Sequence, residues 1–239
     1  MNESLDSIRD IKIFQPAKGY RFSIDAVLLG CFIAKKPYKR AIEFGAGCGI
    51  ISLILARELR QTAITAVEIQ ESLVKLAQKN AALNQCEHQI TVLHEDINRL
   101  PLSFKPGTFD LVFSNPPFRK SKTGKLSPFH EKSVARHEIL IDLESLIKTA
   151  AVLLDNRGTF SLVYHPFRLV ELIRLLNKHR LEPKRMRLVH NCSDEPATMV
   201  LLEAVKGAGA WLDVEPPLIL RNHDGQYTQE VSRFLGESL

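Results

Sequence analysis

Short β-branched runs alternate with amphipathic stretches along most of the chain. Arg40–Phe44 (RAIEF), Ala63–Glu68 (AITAVE), Gln89–Leu93 and Phe109–Ser114 (FDLVFS) read as buried strands. Between them Ile50–Leu59 reads as a helix, as does Glu71–Asn84, which is apolar at Leu73, Val74, Leu76, Ala77 and Leu83. The pattern then predicts a helix over Asp142–Leu154, a strand over Gly158–Tyr164 and a helix over Arg168–Lys178. Met186–His190 and Ala197–Val205 are the last two strands. Alternation at this spacing predicts βαβ units: an α/β domain whose mostly parallel sheet is covered by helices on both faces.

One segment breaks the rhythm. Asn115–Arg136 has no clear periodicity and is long for a connection inside a compact domain, a length typical of functional loops. It starts where a strand ends, on the side of the sheet where open α/β folds bind ligands. It is also basic, with Arg119, Lys120, Lys122, Lys125, Lys132 and Arg136 against Glu131. That excess equals the +5 of the whole chain. A second cluster sets Lys178, Arg180, Lys184, Arg185 and Arg187 against Glu182. Two basic patches on an otherwise neutral-to-acidic body suggest a polyanionic partner, although solvated loops give the same count.

Composition narrows the class further. The 239 residues are 45% hydrophobic and 25% charged, with 12 Gly and 12 Pro, which excludes fibrous and low-complexity chains. No apolar run approaches the length of a membrane span. The N-terminal MNESLDSIRDIKIFQP has no apolar stretch of a secretory leader. Cys31, Cys48, Cys86 and Cys192 are scattered without metal-ligand spacing, so the expectation is a reducing cytoplasmic compartment and no metal.

The chemistry is concentrated at predicted strand ends. Glu43-Phe-Gly45-Ala46-Gly47-Cys-Gly49 joins the first strand to its helix, and glycines at alternate positions permit a tight turn and close approach to a ligand. Glu68 ends the second strand, where a carboxylate can accept both hydroxyls of a ribose. Asp96 follows the third, in reach of an exocyclic adenine amine. Together they describe an adenosine site. The glycine spacing is not G-x-G-x-x-G, and Glu43 would repel a pyrophosphate while suiting a cationic aminoacyl group. S-adenosylmethionine therefore fits better than NAD.

Asn115-Pro116-Pro117-Phe118 ends the fourth strand. The prolines fix φ and remove backbone donors, leaving carbonyls free to accept. An Asn amide oxygen beside a Pro carbonyl gives two acceptors for one NH₂ group, and Phe118 gives a surface on which a base can stack. Two such acceptors draw a delocalised amine toward tetrahedral geometry and expose its lone pair; the remainder of catalysis is in-line positioning.

These residues together resemble the amino-group branch of class I S-adenosylmethionine-dependent methyltransferases, which act on adenine N6, guanine N2 or protein glutamine. The chain is similar over nearly its whole length to the bacterial tRNA(Val) adenine-N6 methyltransferase family. The similarity runs through Gln15–Leu29, Ala135–Glu138, Tyr164–Leu169, Glu182–His190 and Pro216–Val231. The resemblance implies a Rossmann-like, seven-stranded sheet whose last strand is antiparallel, in a single domain. Residues 1–36 would cover the cofactor, 37–205 form the core, and 206–239 an extension. It implies that Gln15, Tyr20, Arg21 and Phe22 fold over the methionine end of the cofactor. Ala46, Ile69, Ile97 and Asn115 would join Glu43, the glycines, Glu68 and Asp96 around the rest. The substrate implied is the adenosine just 3′ of the anticodon, with Arg119, Lys120, Lys122, Lys125, Arg136, Lys184 and Arg185 holding RNA. Phe118 stands where many adenine enzymes have Tyr, and Phe also occurs in guanine-N2 rRNA enzymes, so guanine N2 and protein glutamine remain as alternative acceptors.

Other residues are less telling. His130 and His137 read as solvated loop histidines, and Asp25 as an acid at a helix N-terminus. His165 fits a satisfied strand end as well as a functional position. Trp211 could stack a base or cover a sheet edge. An NAD-dependent oxidoreductase lacks its glycine spacing here, and a nonenzymatic RNA-binding protein would have no need of Asn115 and Glu68.

Overall fold

A computed structural model describes residues 3–17, 21–116 and 142–236. The chain opens with an antiparallel hairpin, β1 (Glu3–Ile8) and β2 (Ile11–Pro16), followed by α1 (Ile24–Ile33). The alternating core comprises β3 (Arg40–Phe44), α2 (Ile50–Glu58), β4 (Ala63–Glu68), α3 (Glu71–Leu83) and β5 (Ile90–His94). After it come α4 (Leu100–Ser103), β6 (Phe109–Ser114), α5 (Leu143–Leu153), β7 (Leu154–Tyr164) and α6 (Leu169–Lys178). The chain ends with β8 (Leu181–His190), β9 (Ala197–Lys206), the two-residue strands β10 (Asp213–Val214) and β11 (Leu218–Ile219), and α7 (Gln229–Leu235).

The sheet runs β10-β8-β9-β7-β6-β3-β4-β5, with β11 also on β8. Neighbours from β5 to β7 are parallel, and β9 lies antiparallel between β7 and β8. Strands β3 to β9 thus form the expected seven with the last one reversed. The sheet has nine because β10 and β11 run along the outer edge of β8, whose backbone groups need partners: Glu215 N–H donates to Met186 O and Leu220 N–H to His190 O.

Successive strand residues face opposite sides, as pleating requires. Ala41, Leu111 and Phe113 pack with α1, α2 and the hairpin's Ile11 and Ile13, whereas Ile42, Phe44 and Val112 pack with α5 and α6. Val231 of α7 is fully buried in the first of these layers. Asp25 lies in the first turn of α1 as expected.

The hairpin was not legible in the sequence. It docks on α3 through two buried asparagines that act as substitute strand partners. Asn80 Oδ1 accepts from Phe14 N–H (2.7 Å) and its Nδ2 donates to Phe14 O (2.9 Å); Asn84 makes the same pair with Lys12 (3.1 and 2.7 Å). Asn80 Nδ2 also reaches Cys48 O at 2.9 Å, tying the hairpin to the glycine turn.

Strand order reverses at β3, which has β4 on one side and β6 on the other. That switch opens a crevice at the carboxyl ends of β3 and β6, where doubly wound sheets take their ligands.

Candidate active site

The glycine turn leaves β3 at that crevice. Gly45, Gly47 and Gly49 all have left-handed backbones, with φ of 71°, 57° and 87°, a conformation that glycine adopts without steric cost. Gly45 and Ala46 N–H both donate to Val67 O, which pins the turn to the end of β4. Nothing within 4 Å fills the space a Cβ on Gly45 would occupy, which leaves the turn open to a close-approaching ligand.

Glu68 closes the turn from the next strand. It is 5% exposed; Oε2 accepts from Gly47 N–H and Oε1 from Gln70 N–H, each at 2.9 Å. A carboxylate anchored by two backbone donors keeps lone pairs for a pair of ribose hydroxyls. Asp96 follows β5 and caps the next turn, accepting from Asn98 N–H at 2.8 Å. Ile69 is half-buried, and its carbonyl lies 2.9 Å from His94 Nε2. The Ile97 side chain is 6% exposed and packs in the core beside α5, so contact with a ligand there falls to its backbone.

Glu43 departs from its expected role. Its side chain is 1% exposed and turned under the start of α2, where it accepts from Ser52 N–H at 3.2 Å and from the Ser52 hydroxyl. Burial pushes its pKa up to about 8, against the pull of these bonds. Its Oε2 is committed to Ser52, and burial favours the neutral form over the carboxylate that a cationic ligand would need. Between about pH 4.5 and about pH 8 the folded form holds a proton that the unfolded form has released, so stability falls as pH rises through that window. The expected result is that Glu43→Gln flattens the decline: thermal midpoints of the two proteins coincide near pH 5, and the variant's is the higher at pH 8.

Asn115 stands one residue beyond β6, on the far side of the switch from Glu68. Ser114 pairs with Phe44 in register, and its hydroxyl donates to Phe44 O at 2.9 Å, fixing the strand end against the glycine turn. A residue before proline favours extended backbone, so Asn115 carries the strand direction outward. It is half-buried, and its amide makes no hydrogen bond among the described residues. Pro116 is half-buried beside it.

The N-terminal residues form a network. Gln15, 2% exposed, donates from Nε2 to Asp6 Oδ2 (2.9 Å) and accepts Phe22 N–H on Oε1 (3.0 Å). Arg21 reaches Ser4 Oγ at 2.8 Å and Asp6 Oδ2 at 3.0 Å. Hydrogen bonding from Gln15 leads the effects that hold Asp6 below the ordinary carboxylate range. Ser4 and Asp6 are partners that the sequence did not reveal. Cys48 in the turn is inert: burial pushes its thiol up to about 12.

Three members of the second basic cluster, Lys178, Arg185 and Arg187, are engaged by acids of the protein itself. Arg185 donates to Glu203 (3.0 Å), Glu215 (3.2 Å) and Phe32 O (2.7 Å), and its guanidinium lies 3.7 Å from the Phe32 ring centroid. Arg187 forks onto Glu230 at 2.7 and 2.9 Å, and Lys178 pairs with Glu144 at 2.6 Å. Lys184 reaches Gly209 O at 3.2 Å. The neutralising acids come from distant segments, which a count along a linear window cannot see. Arg185→Ala is expected to act on stability. Breaking a buried pair costs about 3 kcal/mol or more, roughly a 6–12 °C drop in midpoint by calorimetry at this size, while RNA affinity of the folded fraction is unchanged.

Tyr20, Pro117, Phe118, Arg119, Lys120, Lys122, Lys125, Lys132, Arg136, His130 and His137 lie outside the described residues. Among the described residues no cluster of His, Cys, Asp and Glu could hold a metal ion, and no helix is long and apolar enough to cross a membrane.

A parallel sheet with a glycine turn, a buried acid at the next strand end and an Asn-Pro at the switch point is the architecture of a class I methyltransferase. Solved structures agree. A predicted O-methyltransferase from Agrobacterium tumefaciens superposes with TM-score 0.71 at 23% identity, over 90% of this chain and 98% of that one. An S-adenosylmethionine-dependent O-methyltransferase from Thermotoga maritima gives 0.56 at 18% identity, over 81% and 69%. These likenesses show the fold.

The methyltransferase small domain model matches residues 24–180. A tRNA1(Val) (adenine(37)-N6)-methyltransferase of Porphyromonas gingivalis is 30% identical, covering 98% of this chain and 94% of its own length. The enzyme of the same name from Tolumonas auensis is 29% identical, over 94% and 92%. The chain belongs to the methyltransferase small domain family and, within it, to the family of tRNA1(Val) (adenine(37)-N6)-methyltransferases.

Proposed function

We propose that this chain, as one domain in the cytoplasm, transfers a methyl group from S-adenosylmethionine to N6 of an adenosine in tRNA. The target is the base just 3′ of the anticodon of tRNA(Val), a reading supported by relatives whose names specify adenine 37 of tRNA1(Val). The observation that carries the reading is Asn115-Pro116 set beside the glycine turn and Glu68 at one switch point.

The residues present fit the cofactor. The left-handed glycines and Ala46 let the backbone approach it, Glu68 takes the ribose hydroxyls, and Asp96 with the Ile97 backbone faces the adenine. Gln15, Arg21 and Phe22 close over the aminoacyl end, a role that the family resemblance extends to Tyr20. When bound, S-adenosylmethionine supplies an electrophilic methyl on a sulfonium. Asn115 Oδ1 and the Pro116 carbonyl accept the two hydrogens of the adenine amine and turn its lone pair out of conjugation; Pro117 stiffens that turn and Phe118 stacks the base. The amine needs no strong base before attack, and its extra proton leaves to water afterwards. The target base must be unstacked, a cost that an anticodon loop lowers because its bases are already splayed. Arg119, Lys120, Lys122, Lys125 and Arg136 hold the phosphates, so binding weakens steeply with salt.

The test uses an unmodified tRNA1(Val) transcript and the same transcript with guanosine in place of that adenosine. Labelled methyl enters the first and not the second; equal labelling of both would overturn the site assignment.

A further inference from the structure

Helix α6 buries Leu172 and Leu176 against the core, so its opposite face should be polar. It is not. Val170 is 80% exposed, and Phe167, one turn earlier, is 77% exposed. Arg174, a further turn along, is also exposed and makes no ion pair among the described residues. Val170 and Arg174, four apart, share one side of the helix, and Phe167 stands in the 3-10 turn Pro166–Arg168 that leads into it.

Phe167 is held in place. Its ring lies 5.0 Å from that of His165, tilted by 31°, and His165 Nδ1 is 3.1 Å from Thr198 O. This pair sits just past the carboxyl end of β7. Strand β7 is the immediate parallel neighbour of β6, with Leu162 opposite Ser114, so the strip starts on the sheet end that carries Asn115. From Phe167 to Arg174 is roughly 10 Å along the 3-10 turn and the helix after it, the reach from a stacked base to the phosphate of an adjoining nucleotide.

We propose that Phe167, braced by His165 and flanked by Val170, is a stacking platform for a nucleotide next to the target adenosine, with Arg174 pairing to that strand's phosphate. The proposal rests on the tRNA reading above and deepens it. An exposed ring followed by a cation with no acid partner among the described residues suits single-stranded RNA: the base covers the ring and the cation neutralises the backbone. Two apolar side chains are too small a patch for a stable protein interface.

The test is methylation kinetics on the tRNA1(Val) transcript across a salt series, with cofactor affinity and thermal midpoint measured on each variant. Phe167→Ala raises KM for tRNA about tenfold, leaves cofactor affinity, midpoint and salt slope unchanged, and is rescued by Phe167→Trp. Arg174→Gln raises KM and makes the slope of log KM against log salt shallower by about 0.7. An unchanged KM in Phe167→Ala, or a loss that Trp does not restore, overturns the platform and gives that face to a protein partner or to none. A wild-type protein inactive on tRNA overturns both this inference and the function on which it rests.

Discussion

Asn115→Ala is expected to lower the rate constant for methyl transfer by about 10²–10³-fold, the scale seen when one preorganised polar group at a reacting centre is removed. Affinity for S-adenosylmethionine should stay within about twofold. The split follows from position. Asn115 stands past the end of β6, and its amide is uncommitted among the described residues, whereas the glycine turn and Glu68 hold each other without it. Isothermal titration of the cofactor and single-turnover rates on tRNA measure the two halves separately. Equal losses in both would mean that Asn115 acts by shaping the cofactor site and not by presenting the amine.

Glu68→Ala produces the opposite split. The dissociation constant for the cofactor should rise about 10²-fold or more, since two hydrogen bonds to a charged acceptor contribute about 1.5–3 kcal/mol each and are not fully additive. Saturating cofactor should restore much of the turnover. A second consequence is conformational. Glu68 is the acceptor for Gly47 N–H and Gln70 N–H, so its removal leaves those two donors unpaired while Val67 O still holds Gly45 and Ala46. Glu68→Gln keeps one acceptor oxygen and should fall between the two. Titration of both variants checks this; a cofactor affinity unchanged in Glu68→Ala would remove Glu68 from the site.

Much of this site could be read before any coordinates because its parts are local. A strand followed by glycines at alternate positions, and acids at the next two strand ends, are spaced by the βαβ unit itself. Glu68 and Asp96 therefore reach one sheet edge with Gly45–Gly49. Asn115 followed by two prolines marks a strand end by backbone chemistry alone. What stayed hidden depends on contacts distant in sequence. The hairpin is positioned by Asn80 and Asn84 standing in for a strand, and no periodicity announces that. Strands β7 and β8 start earlier than the apolar runs suggest: Leu154 pairs with Phe109 ahead of an irregularity that ends at Thr159, and Leu181, Glu182, Pro183 and Arg185 pair with β9 although polar residues interrupt their pattern. Glu43 reads as a ligand acid from its place beside the turn, yet the structure gives it to Ser52. Arg185 and Arg187 read as a basic patch until Glu203, Glu215 and Glu230 arrive from the C-terminal third.

The most direct test of the account is the identity of the product. Incubating the protein with labelled S-adenosylmethionine and unmodified tRNA, then digesting the tRNA to nucleosides and separating them, should place the label in N6-methyladenosine, with none from Asn115→Ala. Label in N2-methylguanosine, or an unlabelled tRNA beside a labelled glutamine in protein, would contradict it.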